Sequence, residues 1–154
     1  MKTLPPIRAV LLLSIVAGLS GCVSNKNATI MPGANLGPIK NYYVVHLPAD
    51  DRKVNQLIAE DLTRRGFQAS TGEANDAPLT AEALVTYYDK WMWDITMYLL
   101  QLDIQIRNPK TQAPLATGIA MHSSLGRRSP PEMVKEVLDE IFSKAGQPTA
   151  SAAK

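Results

Sequence analysis

Cysteine is almost missing from this sequence. Cys22 is the only one in 154 residues, so no disulfide can form within the chain and the fold must hold by packing. Histidine is nearly as scarce, with only His46 and His122. A zinc or iron site of the usual donor set is not expected, no stretch has the layout of a calcium loop, and no metal is assigned. No cofactor is assigned either. Gly118 and Ala120 alternate with Thr117, Ile119 and Met121, which suits a close helix approach and makes no phosphate loop. Charge of one sign is also lacking: 16 basic and 14 acidic residues are mixed along the chain without a basic block, so nucleic acid is not an expected partner. The apolar run Ala9–Leu19 has 11 residues, short of the roughly 20 needed for a membrane span. There are no internal repeats.

That short run is informative through its flanks. Lys2 and Arg8 precede it, and Leu19-Ser20-Gly21-Cys22 closes it with small residues. This layout is a secretory signal, and the closing tetrapeptide resembles the lipobox of bacterial lipoproteins. The resemblance implies cleavage between Gly21 and Cys22 and lipidation of Cys22. It also implies sorting, because an aspartate after the cysteine typically retains a lipoprotein in the inner membrane. Val23 stands there instead, so the expected address is the outer membrane, facing the periplasm. Three acyl chains would exceed the two signals a stable anchor needs. The mature chain then has 133 residues and 14 charges of each sign.

Residues 22–40 are expected as the lipidated N-terminus and a flexible tether rich in Ser, Asn, Gly and Pro, with a reach of roughly 23 Å. A domain follows over residues 41–144, and residues 145–154 are expected as a disordered tail. Asn41–Leu47 reads as a strand. Asp50 or Asp51 offers a helix cap, Val54, Leu57, Ile58 and Leu62 recur at helical spacing, and Gly66 ends the helix. Phe67–Thr71 and Ala83–Tyr88 read as further strands. Trp91–Arg107 is strand-like for an unusual length, and its alternation changes phase near Met97–Tyr98, which implies a bulge, a bend or burial of both faces. After an Asn108–Thr111 turn, Leu115–Ser123 returns as the last strand. Ser129, Pro130 and Glu132 start a helix through a capping box. Met133, Val134, Val137, Leu138, Ile141 and Phe142 form its apolar stripe. The order β-α-β-β-β-β-α predicts an α+β, two-layer sandwich: a mixed sheet of about five strands with two helices on one face.

The candidate contact surface is Trp91 and Trp93 together with Arg127 and Arg128. Paired indoles suit a partner protein, a sugar or the membrane interface, but a core position beneath a helix is the favoured reading. The two arginines before a helix N-terminus suit an anion or a solvated surface. Asp89, Asp94, Asp103 and His122 are the acid–base candidates, and Ser123 and Ser124 flank His122 without a nucleophile elbow. No catalytic residue is assigned.

The run from Tyr87 through Ile106, the Asn108-Pro109-Lys110-Thr111 turn and Ser129-Pro130-Pro131-Glu132-Met133-Val134 resemble a family of small proteobacterial lipoproteins that mostly lack an assigned activity. The element order is more loosely similar to the lipoprotein activators of penicillin-binding proteins and to the amino-terminal domain of the Tol-Pal translocation protein. The expectation is a non-enzymatic, membrane-anchored adaptor, assembly factor or regulator with an envelope protein partner. A carrier of a lipid or small apolar ligand, or a hydrolase of envelope polymers, remains as an alternative.

Overall fold

The structure, a computed structural model, describes residues 24–146. The signal segment, the Gly21–Cys22 cleavage and lipidation site, and residues 147–154 of the expected tail lie outside the described residues. The elements are β1 (Ser24–Ile30), β2 (Asn41–Val45), α1 (Val54–Arg64), β3 (Gln68–Gly72), β4 (Ala83–Asp94), β5 (Thr96–Arg107), β6 (Pro114–His122) and α2 (Pro130–Lys144). Short 3-10 turns lie at Ala74–Asp76 and Ser124–Gly126.

The strands form one six-stranded sheet in the order β1-β6-β5-β4-β2-β3. β2 is parallel to both β3 and β4, with α1 as the crossover from β2 to β3. The remaining pairs are antiparallel, β4-β5-β6 being a meander. α1 packs on β2 and β3, α2 packs on β1, β5 and β6, and the helices touch each other. The result is the expected two-layer α+β domain, with six strands where about five were expected.

Each helix contributes one apolar stripe to a common core. Val54, Ile58 and Leu62 of α1 are fully buried, as are Met133, Val134, Val137, Leu138, Ile141 and Phe142 of α2. Gly66 ends α1 at φ +90°, a conformation that costs glycine little. α2 begins as its sequence predicts: the backbone amide and hydroxyl of Ser129 both donate to Glu132 Oε2 at 2.8 Å. Asp50 serves α1 differently. Lys53 immediately precedes the helix at φ 59°, and the Asp50 carboxylate accepts from the amides of Arg52 (2.9 Å) and Asn55 (3.3 Å). Arg65, whose side chain is only 1% exposed, joins the helices by pairing with Asp61 at 2.6 Å and Asp139 at 2.8 Å. α2 lies close on β6 at Gly118, where a Cβ would come within 2.8 Å of Ile141 and Val137. The small residue there does admit a close helix approach.

Two readings of the sequence need correction. Residues 24–40 are no tether. Ser24–Ile30 adds an edge strand to β6 in unbroken register from Ser24↔His122 to Ile30↔Ala116. Leu36 and Ile39 are buried in the core. β1 is polar because an edge strand gains most of its stability from the ladder, and only Ala28 and Ile30 turn inward. Lys26 pairs with Glu140 at 3.0 Å, and Lys144 donates to Asn27 Oδ1 at 2.6 Å and to the Ala28 carbonyl, which ties β1 to α2.

The second correction concerns Trp91–Arg107, which is not one strand. The chain reverses at Ile95 (φ 60°), so Asp94 faces Thr96 and β4–β5 is a long hairpin. A bulge follows: Lys90 pairs with Gln101 and Trp91 with Leu99, leaving Leu100 unpaired. The phase change therefore combines a reversal at Ile95 with a bulge at Leu100. Bulges bend and increase the twist of a ladder locally.

Candidate functional site

The end of the β4–β5 hairpin carries large apolar side chains in solvent. Trp93 is 71% exposed, Ile95 84%, Met97 49% and Met92 42%. Leu125, in the adjacent 3-10 turn, is 92% exposed. Scattered exposed apolar residues are ordinary, whereas here four lie on one hairpin end with Leu125 in the turn beside them. Ile95 occupies the left-handed region, where a β-branched residue is strained.

The two tryptophans, expected as a pair and more readily as core, divide. Trp91 is half-buried against the core, donates Nε1–H to Asp89 at 2.6 Å, and lies beneath Arg52 at 4.4 Å. Trp93, two residues nearer the tip, is largely exposed and faces Met97 across the hairpin. The core expectation holds for Trp91 only in part and fails for Trp93.

Arg127 clamps the hairpin. It donates from Nη1 to Thr96 Oγ1 (2.6 Å), from Nη2 to the Asp94 carbonyl (2.9 Å) and carboxylate (3.2 Å), and from Nε to the Ser124 carbonyl (2.9 Å). Its guanidinium lies 4.6 Å over the Tyr98 ring. Contacts from one planar fork to residues 94, 96 and 98 fix one hairpin face against the 3-10 turn. Arg128 is half-exposed and pairs with Glu136 at 3.5 Å. The anion reading of this pair thus meets a helix start already occupied by Glu132, whose carboxyl is held below its usual range chiefly by the Ser129 amide.

The acid–base candidates are each engaged with a different partner. Asp89 holds Trp91, Asp94 holds Arg127, and Asp103 accepts from Gln101 at 3.1 Å. His122 is buried with Nε2 2.6 Å from Glu136 Oε2. Ser123 precedes the 3-10 turn and Ser124 opens it. Among the described residues, no group of three His, Cys, Asp or Glu is placed to hold a metal ion.

One polar cluster was not anticipated. Beyond the carboxyl ends of parallel β2 and β3 lies an open crevice of about 530 Å³ lined by His46, Asp50, Asn55, Thr71 and Glu73 among others. His46 Nδ1 meets Glu73 Oε1 at 2.9 Å, which raises the imidazole pKa. Tyr87 donates to Asp50 Oδ2 at 2.7 Å. Burial works against the Asp50 carboxylate, yet the bonds from Tyr87 and from the amides of Arg52, Asn55 and Val54 hold its pKa below the usual value. The β-α-β order was the available signal, since ligand crevices form beyond the carboxyl ends of parallel strands. Here the cluster's own bonds anchor the β2–α1 loop.

No family model matches this sequence, and no curated protein does. Solved structures do. A substituted form of the PelC dodecamer from Paraburkholderia phytofirmans is 12% identical over 75% of this chain and 96% of that one, with a TM-score of 0.56. The unsubstituted PelC dodecamer is 10% identical over 82% and 99%, also at 0.56. TolB from Acinetobacter baumannii is 13% identical over 79% of this chain and 31% of its own, at 0.47. The PelC likeness is one of fold: a small α+β domain aligned over nearly the whole of the other chain.

Proposed function

We propose that this chain is an outer-membrane lipoprotein, anchored through Cys22, whose periplasmic domain docks on another envelope component through the β4–β5 hairpin tip. Its role is that of a non-catalytic adaptor or assembly factor. The observation that carries the reading is the tip itself. Trp93, Ile95 and Met97 extend into solvent on a hairpin that Arg127 holds in place. A clamp on one face with apolar side chains left outside it suits a preorganised contact, because less freedom is lost on binding. The lipobox resemblance supports the address, and confinement beside one membrane raises the effective concentration of any neighbour there.

The test is a photo-crosslinking residue at position 93 in the full-length protein in intact cells, compared with Leu79, an exposed position at the opposite end of β4. A discrete adduct at 93, absent at 79 and lost with Cys22→Ser, supports the reading. No adduct, to protein or to lipid, from a folded, correctly located protein overturns it.

Self-assembly is a second reading. Both PelC structures are dodecamers, and the sheet face opposite the helices here carries Tyr88, Ile119 and Met121 with no layer over them in one copy. Light scattering on the detergent-solubilised lipoprotein distinguishes a monomer from a ring.

A further inference from the structure

We infer that the hairpin tip docks on the lipid bilayer that holds the protein's own acyl anchor, so that the domain is fixed to the membrane at two points. This rests on the proposed lipidation of Cys22 and on the tip as the docking surface, and it names the component that the tip meets.

The argument comes from sheet register. Asn25, Met121, Gln101 and Lys90 form one row across β1, β6, β5 and β4. From that row β4 continues through Trp91, Met92, Trp93 and Asp94 to the turn at Ile95. Five residues at a strand rise of about 3.4 Å carry the tip roughly 17 Å beyond the row. The chain's path toward Cys22 leaves the sheet from the same end. Ser24 is the first residue of β1 and pairs with His122, one step beyond the row. Only Val23 separates Ser24 from Cys22, so the anchor lies within about 7 Å of Ser24.

Anchor and tip therefore share one end of the sheet, and the strand replaces the leash that the composition suggested. A domain on an 18-residue leash could turn any face to the membrane. One whose first strand begins two residues after the lipid cannot swing far. The tip reaches roughly 7 Å beyond the furthest level open to Cys22, comparable to the roughly 5–10 Å to which interfacial elements enter the headgroup and acyl boundary. A modest tilt of the sheet brings both to the same depth.

The side chains suit that depth. Trp93 is an indole on a projection, the residue type enriched at membrane interfaces, and Ile95, Met97, Met92 and Leu125 beside it are apolar and exposed. Lys90 is exposed on the anchor row, and Arg128 is half-exposed in the loop behind the tip, both suited to lipid phosphates.

The experiment uses the full lipoprotein, purified with its acyl chains and reconstituted into vesicles of phosphatidylethanolamine and phosphatidylglycerol carrying brominated acyl chains. Trp91→Phe leaves Trp93 as the sole tryptophan. Trp93 emission should shift to the blue, be quenched by bromine and be shielded from acrylamide. Adding Ile95→Asp and Met97→Asp should reduce the bromine quenching severalfold while the circular dichroism spectrum is unchanged. As an orientation control, Leu79→Trp with both native tryptophans replaced by phenylalanine should be quenched by acrylamide and not by bromine. Trp93 left open to acrylamide and untouched by bromine overturns the membrane assignment. If position 93 still crosslinks to a protein in cells, the docking reading survives with a different component. If neither occurs, both fail.

Discussion

Arg127 stacks its guanidinium 4.6 Å over the ring of Tyr98 while bonding to Asp94 and Thr96 on the two strands of the hairpin. A residue 29 positions away from Tyr98 thus sets the pose of a turn whose own sequence is strained. Arg127→Lys keeps the charge but loses the planar fork and the stack. It should raise amide exchange at residues 94–98 without lowering global stability by more than about 1 kcal/mol. Exchange measured by mass spectrometry on the intact chain checks this, and unchanged rates would deny the clamp.

Ile95 is exposed and sits at φ 60°. Left-handed geometry costs an L-residue about 1–2 kcal/mol, and glycine largely escapes it. Ile95→Gly should therefore raise unfolding stability, by about 1 kcal/mol after the entropy glycine adds to the unfolded chain. The same change should weaken crosslinking from position 93. A stabilised protein with impaired docking is what a functional turn predicts, whereas a destabilised one would show that Ile95 serves the fold.

Gly118→Ala tests the helix–sheet contact. The new methyl would lie 2.8 Å from both Val137 and Ile141, in the middle of α2. Overpacking of this kind costs roughly 1–3 kcal/mol, and chemical denaturation should show a lower midpoint at unchanged slope. An unaltered midpoint would mean that α2 can move off the sheet freely.

Asp50 and His46 give opposite pH dependences. Asp50 has a folded pKa below its ordinary 3.8, so its contribution is present above that value and disappears as pH falls through the lower folded one. Asp50→Asn should flatten the acid limb of stability while lowering the plateau, because a buried acceptor of four bonds is altered. His46 has its pKa raised above 6.5, chiefly by Glu73, so its contribution is complete below 6.5 and fades as pH rises through the raised value. Being in the exposed loop, it should affect exchange of residues 46–53 and leave global unfolding alone. His46→Gln should abolish that local dependence, as followed by proton resonance titration.

Much of the fold was legible in the sequence, and the failures have physical causes. α2 was plain because Ser129, Pro130 and Glu132 specify its start and the stripe from Met133 to Phe142 specifies its face. The phase change at Met97–Tyr98 was legible, but alternation alone does not distinguish a bulge from a reversal. Ile95 hid the turn, since a β-branched residue is the last expected there. β1 was invisible because its polar residues owe their conformation to β6, which lies far along the chain. Trp91 and Trp93 were singled out from sequence as a pair, whereas Ile95, Met97 and Leu125 were not. Which of the pair is covered depends on where the β2–α1 loop sets Arg52, which lies over Trp91, and period two carries no record of that.

The junction of β1 with the N-terminal segment has a mechanical consequence. Under the proposed anchoring, any drag on the domain reaches the lipid through Ser24. β1 lies along β6 over seven register pairs, from Ser24↔His122 to Ile30↔Ala116. A pull directed along the strand distributes its load over these rungs in shear, so none must break first. A pull directed outward from the sheet meets the rung at Ser24 alone and opens the ladder like a zipper. The domain should thus withstand tension toward the membrane and yield to tension across it, and the direction of force becomes a property that the cell envelope can read.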